Sequence, residues 1–289
     1  MKKILITGSN GQLGRALNKL YSSDNEYELI NTDFGVPEIK SLDITNLESV
    51  RECVREIKPD YIVNCAAMTA VDMCDVKQAM AFNINAVGPR NLAIAATENG
   101  STLMHLSTDY IFKGEGDTPY TEFDTPSPIS TYGKSKLAGE NFVRQFAPMS
   151  YIVRTAWLYG DGKNFVKTML KASETRDSVT VVNDQIGSPT SAEELAKAIK
   201  YLLPTENFGL FHGTCEGTCS WADFTKEIYR LSGKKTEVIP ISSEEYKRMN
   251  PQSADRPKNS RLENYMFKLT TDHQYAYWHD AIKKYIEEI

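Results

Sequence analysis

Short apolar runs alternate with helical patterns along the first half of the chain. Residues 4–6 and 61–63 are continuously apolar, which is typical of strands covered on both faces. Strand and helix in strict alternation predict a parallel sheet with right-handed crossovers and helices on both sides. The predicted strands are Lys3–Thr7, Tyr27–Asn31, Tyr61–Cys65, Thr102–Ser107 and Tyr151–Thr155, and the predicted helices are Gly11–Tyr21, Asn46–Ile57, Asp75–Gly100 and Thr131–Gln145.

The second half of the chain mixes helical patterns with a single clear strand. We predict helices at Phe165–Ser173, Glu193–Leu203, Trp221–Ser232 and Tyr275–Ile289, a strand at Lys235–Pro240 and a polar loop at Asn250–Arg261. The expected fold class is therefore α/β: a Rossmann-type doubly wound parallel sheet with a smaller C-terminal α/β region. The expected parts are residues 1–158 and 159–289, with a segment at about 180–210 returning to the first part.

Composition and charge narrow the class of protein. The 289 residues are 41% apolar and 25% charged, as in ordinary globular proteins, and no apolar run is long enough to span a membrane. A net charge of −5 argues against binding nucleic acid or an anionic membrane surface, although a small anionic ligand stays possible. The apolar stretch at the N-terminus is too short for a signal peptide, so we expect a cytoplasmic protein.

The cysteines favour reduced thiols over disulfides or a metal site. There are five of them, an odd number, and they are scattered along the chain. Cys215 and Cys219 form the one close pair, but only His212 lies near them, which leaves a zinc ion short of ligands. We expect no metal.

A glycine-rich loop follows the first predicted strand and opens the first predicted helix. Gly8, Gly11 and Gly14 permit a tight turn, close approach to a pyrophosphate, and close packing of helix on strand. Free N–H groups at the helix start would then face the phosphates. The loop predicts a dinucleotide site in residues 1–158, and the alternative is a turn that only packs. The expected cofactor contacts in this loop are Gly8, Asn10, Gly11, Gln12 and Leu13.

An acidic residue at the end of the second strand refines the cofactor prediction. Asp33 lies nineteen residues after Gly14, where a carboxylate accepts hydrogen bonds from a ribose. No basic residue lies between them except Arg15 and Lys19 on the helix, so NADH is favoured over NADPH. Asp43 and Ile44 are candidate adenine contacts, and an aspartate that only caps a helix or forms a turn is the alternative.

Tyr132 and Lys136 form the candidate catalytic pair, since a spacing of four residues puts both on one helix face. Free tyrosine has a pKa of about 10, and a neighbouring ammonium or an oxidised nicotinamide lowers it. A surface helix pair is the alternative. Ser107, Thr108 and Asp109 lie at the carboxyl end of a predicted strand, and a hydroxyl there can hydrogen-bond the same carbonyl oxygen that Tyr132 protonates.

Taken together, these segments resemble the extended short-chain dehydrogenase/reductase family, and most closely its dTDP-4-dehydrorhamnose reductase branch. The resemblance covers nearly the whole chain. It depends on residues 8–14, 42–45, 64–72, 106–112, 132–136, 154–160, 184–190 and 256–262. Three of these, the Thr-Asp-Tyr, Asp-Gln-x-Gly-x-Pro-Thr and Arg-Pro-x-Asn-Ser segments, narrow it to the branch.

The resemblance implies hydride transfer from NADH or NADPH to C4 of a 4-keto-6-deoxy sugar carried on dTDP. Tyr132 would donate the proton, Lys136 would hold the nicotinamide ribose and tune Tyr132, and Thr108 would orient the ketone. Residues 159–289 would mainly bind the substrate. Further implied contacts are Ala66, Ala67 and Thr69 with the nicotinamide, Asp109 and Trp157 with the sugar or base, and Asn259 and Ser260 with the diphosphate, while Asn85 would support the nicotinamide-side loop.

At two places the sequence departs from the wider family, and these departures limit which family properties can be expected of this chain. Related dehydratases have Thr-Asp-Glu where this chain has Thr108-Asp109-Tyr110, so simple reduction is favoured over dehydration. Some relatives form dimers bridged by magnesium through glutamates, one of them on the first helix. Residues 15–18 contain no acid here, so neither that metal nor that dimer is carried over, and a monomer or a homodimer is expected.

Two other functions stay open at this stage. The chain could reduce or epimerise another nucleotide sugar, for instance one carried on GDP or UDP. It could also be a non-catalytic regulatory subunit that keeps the fold and binds the cofactor, although Tyr132 and Lys136 are both present.

Overall fold

The computed structural model describes residues 1–289 and contains fourteen strands and twelve α-helices, numbered here in chain order. The strands are β1 (Lys2–Thr7), β2 (Tyr27–Asp33), β3 (Lys40–Ser41), β4 (Tyr61–Asn64), β5 (Thr102–Thr108), β6 (Ser150–Thr155), β7 (Leu158–Tyr159), β8 (Ser178–Val182), β9 (Ile186–Gly187), β10 (Thr190–Ser191), β11 (Gly209–His212), β12 (Cys219–Ser220), β13 (Glu237–Ile241) and β14 (Asn259–Ser260). The helices are α1 (Gln12–Tyr21), α2 (Leu47–Ile57), α3 (Val71–Val76), α4 (Gln78–Phe82), α5 (Gly88–Asn99), α6 (Thr131–Phe146), α7 (Phe165–Ser173), α8 (Ala192–Leu202), α9 (Trp221–Leu231), α10 (Ser243–Met249), α11 (Tyr265–Thr270) and α12 (Trp278–Glu288).

Seven parallel strands form the central sheet in the order β11-β6-β5-β4-β1-β2-β3. The predicted doubly wound α/β fold is confirmed. The chain order reverses between β1 and β4, and such a switch point is where sheets of this kind bind their ligands, beyond the carboxyl ends of the strands. The loops after β1 and β4 therefore form the expected binding edge.

Each face of the sheet has its own apolar core. On one face α1 packs beside α8, through side chains such as Leu13, Leu17, Leu195 and Ile199. On the other face α2, α5 and α6 cover the strands, with Val50, Leu92 and Val143 among the buried residues. Apolar side chains on both faces explain why the central strands are continuously hydrophobic in sequence.

The later part of the chain builds smaller sheets both before and after it contributes β11 to the central sheet. Strand β11 pairs with β6 at the edge of the central sheet. Side chains of α8 and α1 belong to the same apolar core. Strands β8 and β13 form a separate parallel pair, and β9 lies between β12 and β14 in a three-stranded sheet. A third core, around Phe224, Ile228 and Trp278, joins α9 to α12. No helix of the structure is long and apolar enough to span a bilayer.

The prediction of one long helix at Asp75–Gly100 is wrong. The structure divides this region into α3, α4, a π-helical turn at 83–87, and α5. Lys77 adopts a non-helical backbone conformation between α3 and α4, with φ −114° and ψ 55°. In the π turn, the Asn85 side chain accepts a hydrogen bond from Met68 N and donates to Met68 O and Ser135 Oγ. The helix is thus interrupted where Asn85 bonds the loop after β4, and π turns of this kind often occur at functional sites.

A buried ion pair joins α6 to the central sheet. Arg154 on β6 donates two hydrogen bonds to the Glu140 carboxylate, at 2.9 and 2.7 Å, and their side chains are 1% and 0% exposed. Ser107 on β5 donates to the same carboxylate at 2.5 Å. Arg154 also lies 3.4 Å from His212 on β11. Three neighbouring strands are thus tied to the helix that carries Tyr132 and Lys136.

We expect Glu140→Gln to lower the free energy of unfolding by about 3–5 kcal/mol, because it leaves the Arg154 charge buried without a counter-ion. The measurement is urea unfolding, with the midpoint and the slope fitted separately.

The matched control is Glu56→Gln, which makes the same chemical change in the exposed pair between Lys40 and Glu56. An exposed pair contributes less than about 1 kcal/mol, so this variant should unfold close to the wild type. Equal effects in both variants would contradict the importance of the buried pair.

Candidate active site

The glycine-rich loop is shaped by two close backbone approaches. Gly8 has a φ of +66°, and a Cβ there would lie 2.6 Å from Ala66 N. A Cβ on Gly14 would lie 2.5 Å from Ser9 O, so α1 starts directly against the loop. A side chain at either position would collide with backbone atoms, which explains why the sequence has glycine there.

The first turn of α1 presents unused N–H donors. Gly11 precedes the helix, no side chain caps it, and the first turn contains no acid. The N–H groups of Gln12 and Leu13 therefore point out of the helix end without a partner in the chain, together with the positive end of the helix dipole. This cradle fits the pyrophosphate of a dinucleotide.

A groove of about 520 Å³ runs from this loop along the end of β2. Gly8, Asn10, Gly11 and Asp33 line it, and no lysine or arginine does. The Asp33 carboxylate accepts hydrogen bonds from Asn10 N at 2.9 Å and Phe34 N at 2.8 Å. Asp33 therefore fixes the loop and presents negative charge to the groove.

Asp43 and Ile44 line the same groove. Asp43 Oδ1 accepts hydrogen bonds from Thr45 N and Thr45 Oγ1, at 2.9 and 2.7 Å, which is the geometry of a turn aspartate. Ile44 is buried, and the absence of a side chain on Gly88 lets α5 lie against it. Adenine binding by these two residues stays a prediction.

The loop after β4 connects the groove to a second cavity of about 260 Å³. Ala66 and Ala67 line the groove, while Ala67 and Thr69 line the second cavity. Cys65 borders both. Asn64 Oδ1 holds the start of the loop by accepting from Ala66 N at 3.1 Å. A ligand in the groove can thus extend into the cavity.

Tyr132, Lys136 and Thr108 meet in this second cavity, as the sequence predicts. Ser130 caps α6 by accepting a hydrogen bond from Gly133 N, which fixes the turn that carries Tyr132. Thr108, at the carboxyl end of β5, donates to Asp109 Oδ1 at 3.0 Å and accepts from Tyr110 N at 3.2 Å. Tyr132, Lys136 and Thr108 therefore border one common space.

Lys136 is buried and donates a 2.5 Å hydrogen bond to Leu106 O. Burial lowers the pKa of the Lys136 ammonium to about 8, and the nearby Glu140 carboxylate opposes that shift. The ammonium is therefore still the main form at neutral pH.

Tyr132 differs from the expectation that Lys136 lowers its pKa. Burial raises the pKa of the Tyr132 phenol, and a hydrogen bond with Thr108 opposes the rise. The Lys136 nitrogen is engaged with Leu106 O, so burial is the larger effect. In this structure Tyr132 is a protonated phenol, the form that a proton donor needs.

Asp109 is the unusual acid of the cavity. It is 3% exposed, and its Oδ2 atom has no hydrogen-bond partner. Burial raises its pKa to about 6, against hydrogen bonds from Ser260 and Thr108. Two more buried atoms of cavity-lining residues, Gln12 Oε1 and Thr155 Oγ1, also lack partners. Unpaired buried polar atoms are costly, and a polar ligand in this cavity would supply the missing hydrogen bonds.

The remaining predicted substrate contacts fall in different places. Trp157 lines the cavity, stacked on Trp221. Ser260 is buried beside Asp109. Asn259 is buried too, but its amide donates to Thr118 O at 2.7 Å and accepts from Arg261 N at 3.2 Å. The amide nitrogen and the amide oxygen of Asn259 thus both have partners within the chain. Neither is free in this conformation for the predicted contact with a diphosphate.

Sequence analysis did not identify several residues of the site. Glu140 and Arg154 looked like ordinary helix and strand charges, and only the lack of alternation in β6 hinted that Arg154 is buried. Asn64 links Thr7 to His105 across the binding edge, at 2.8 and 3.0 Å. Trp221 opens α9 far along the chain, and no sequence signal places it beside Trp157.

Four of the five cysteines are buried. All five are free, and burial raises the pKa of Cys65 and of Cys215 to about 12. The structure contains no cluster of three or more His, Cys, Asp or Glu side chains placed to hold a metal ion.

We expect Asp109→Asn to stabilise the protein at pH 8 by about 2–3 kcal/mol and to reduce activity. A raised carboxyl pKa means that Asp109 contributes most to stability below about pH 4, and that this contribution is lost as the pH rises through 6. Thermal unfolding at pH 4 and pH 8 measures the difference. A gain of the same size at both pH values would contradict the buried charge as its cause.

Comparisons with known proteins agree on one family. The family model described as the RmlD substrate binding domain matches residues 1–289. The chain is 38% identical to the spore coat polysaccharide biosynthesis protein SpsK of Bacillus subtilis, over 100% of this chain and 98% of that one.

Two solved structures extend the comparison. A dTDP-4-dehydrorhamnose reductase from Clostridium acetobutylicum is 49% identical with a TM-score of 0.93, covering 99% of each chain. One from Bacillus anthracis, in complex with NADP, is 40% identical with a TM-score of 0.94, covering 100% of each. The chain belongs to the dTDP-4-dehydrorhamnose reductase branch of the extended short-chain dehydrogenase/reductase family, and it is an NAD(P)H-dependent oxidoreductase acting on nucleotide sugars.

Proposed function

We propose that the protein reduces the C4 ketone of dTDP-4-dehydro-L-rhamnose to give dTDP-L-rhamnose, with NADH as the favoured reductant. The observation that supports this most directly is the meeting of Tyr132, Thr108 and Lys136 in one buried cavity that opens into a nucleotide groove. The product would serve the synthesis of surface polysaccharide.

The cofactor would lie with its pyrophosphate on the N–H groups of Gln12 and Leu13, and with its adenosine ribose at Asp33. The reduced nicotinamide supplies the hydride, and the chain supplies binding and orientation. Ala66, Ala67 and Thr69 fit the nicotinamide end, since their loop joins the groove to the catalytic cavity.

Tyr132 would donate the proton that balances the hydride. As hydride reaches C4, negative charge develops on O4, and the phenol O–H of Tyr132 transfers its proton to that oxygen. Thr108 would donate a hydrogen bond to the same oxygen, giving up its present bond to Asp109. Two donors aimed at one oxygen stabilise the charge where it forms.

Lys136 would hold the nicotinamide ribose and stabilise the Tyr132 phenolate after the proton has left. Its positive charge favours the phenolate more strongly as the cavity excludes water. Glu140, one turn further along α6, helps keep Lys136 protonated despite its burial.

The residue after Asp109 supports reduction over dehydration. Elimination of water needs a base at this position, and the chain has Tyr110. Burial raises the pKa of the Tyr110 phenol, so it does not act as a base at neutral pH. Its ring packs edge-on against Tyr132, with centroids 5.4 Å apart.

The sugar end of the substrate would contact Asp109 and Trp157, with Ser260 orienting Asp109. The unpaired Oδ2 atom of Asp109 would accept a hydrogen bond from a sugar hydroxyl. A contact of Asn259 with the diphosphate requires its present hydrogen bonds to break.

The proposal also covers the cellular location and the oligomeric state of the protein. Five free cysteines fit the reducing cytoplasm. A monomer or a homodimer is expected, and light scattering on the purified protein distinguishes the two.

The experiment that tests the function follows NADH oxidation by absorbance, with dTDP-4-dehydro-L-rhamnose as substrate and NADPH in a parallel reaction. Oxidation with dTDP-L-rhamnose as product supports the proposal. A protein that binds NADH but leaves this substrate unreacted would overturn it. In that case dTDP, UDP and GDP are ranked by the thermal shift that each one produces. A larger shift with UDP or GDP would indicate a different nucleotide sugar, and no shift with any of them would indicate a regulatory subunit.

Removing the proton donor should stop turnover without affecting cofactor binding. We expect Tyr132→Phe to lower kcat at least about 100-fold, since it removes a general acid, with the Kd of NADH unchanged. The readouts are steady-state kinetics and a fluorescence titration with NADH.

The matched control is Tyr110→Phe, which removes the neighbouring phenol of the same cavity. Simple reduction needs no acid or base at this position, so this variant should keep its turnover. A similar loss of kcat in both variants would argue against Tyr132 as the specific donor.

The preference for NADH can be changed at one exposed position. Phe34 is 68% exposed at the edge of the groove, next to Asp33. We expect Phe34→Arg to raise kcat/KM for NADPH about tenfold, because a guanidinium there can pair with the 2′-phosphate. Phe34→Ala is the control and should give no such gain. If the wild type already uses NADPH better than NADH, the proposed preference is wrong.

A further inference from the structure

Two tryptophans form a stacked pair on the wall of the catalytic cavity. The rings of Trp157 and Trp221 have centroids 3.5 Å apart and an angle of 10° between their planes. Both residues are half-buried and line the space that Tyr132 and Thr108 also face. Neither the ring of Trp157 nor that of Trp221 is therefore free to turn independently of the other.

Trp157 has a backbone conformation that is rare for a bulky residue. Its φ is +48°, in the left-handed region. Thr190 N donates a hydrogen bond to Trp157 O at 3.2 Å, and β7 pairs with β10 directly afterwards. Strained conformations persist where the surroundings fix them, and they cluster at functional sites.

Gly187 leaves room for the Trp157 indole on a second side. A Cβ at position 187 would lie 2.6 Å from Trp157 Cε2 and 2.8 Å from Trp157 Nε1. Contacts that short force the ring to move. This explains the glycine of the Asp-Gln-x-Gly-x-Pro-Thr segment, which the proposed reaction leaves without a function.

The small three-stranded sheet of β12, β9 and β14 aligns Gly187 with the residues around Trp221 and Asp109. Gly187 on β9 pairs with Cys219 on β12, two residues before Trp221. On its other side Gly187 pairs with Ser260 on β14, which is buried beside Asp109. One sheet thus sets both the aromatic wall and the unpaired carboxylate of the cavity.

Trp221 is itself held firmly. It is the first residue of α9, and Ser220 caps that helix by accepting a hydrogen bond from Asp223 N at 3.0 Å. Phe165 packs on Trp221 with ring centroids 4.4 Å apart. Trp221 therefore has a fixed support of its own, on α9 and α7, against which Trp157 can lie.

We propose that Trp221 is a positioning residue, which together with Gly187 holds the Trp157 indole in one orientation against the apolar face of a 6-deoxy sugar. The sugar would lie between this wall and the polar side of the cavity at Asp109. The inference rests on the proposed function for the identity of the sugar, while the positioning of Trp157 does not depend on it.

The first test uses the cofactor-free protein and needs no substrate. The chain has three tryptophans, and a stacked indole pair gives a characteristic exciton couplet in far-ultraviolet circular dichroism. We expect Trp221→Leu to abolish the couplet and to increase quenching of Trp157 fluorescence by acrylamide in a Trp278→Phe background. Trp278→Phe alone is the control, because Trp278 lies in α12 with Phe224 5.8 Å away, and it should keep the couplet.

The second test separates binding from chemistry. We expect Trp221→Leu to raise the KM for the sugar nucleotide about tenfold, the size expected for an aromatic pair, with kcat and the Kd of NADH near wild type. Trp221→Phe should recover most of the loss because it keeps a ring on Trp157. Gly187→Ala should raise the same KM by displacing the indole from the other side.

The outcomes decide the two proposals separately. A couplet that survives Trp221→Leu, or an unchanged KM after the couplet is lost, overturns the positioning of Trp157 by Trp221. If the wild type neither reduces dTDP-4-dehydro-L-rhamnose nor binds dTDP-L-rhamnose by calorimetry, the proposed function and the sugar contact fail together. In that case the couplet and quenching results still decide whether Trp221 holds Trp157.

Discussion

The bidentate pair between Glu140 and Arg154 is the constraint on which the candidate active site depends. It fixes α6 against β6 and, through Ser107, against the end of β5. Tyr132 and Lys136 lie on that helix, and Thr108 follows Ser107 directly. A buried pair of this kind adds little stability compared with an apolar replacement, but it permits only one arrangement of its partners. Here that arrangement sets which three side chains face the cavity.

Sequence reasoning worked best where chemistry and local structure coincide within a few residues. The glycine-rich loop needs only a strand, a tight turn and a helix, all inside residues 1–21. Tyr132 and Lys136 share a helix face through their spacing alone, and the parallel sheet follows from alternating elements. Each of these signals is local, so one sequence is enough to predict it.

Other features were wrong or missed for physical reasons. The helix expected at Asp75–Gly100 is broken at Lys77 and again around Asn85, whose side chain bonds Met68 of the loop after β4. The resemblance implied that Asn85 supports this loop, but the helical pattern of the segment gives no sign that the helix is interrupted there. Strand β11 has only four residues and no distinctive pattern. The Trp157 and Trp221 pair depends on β9 and β12 lying in one small sheet. All three require knowledge of which distant segments meet.

The return of the chain to the central sheet also limits how the protein can be divided. Without α8 and β11, the α1 side of the sheet would expose Leu13 and Leu17, and β6 would become an unpaired edge. A bare edge strand beside exposed apolar side chains invites association with other chains. We therefore expect a gene fragment ending near residue 158 to encode a polypeptide that aggregates, because residues 1–158 and 159–289 share a core and a sheet and fold as one unit.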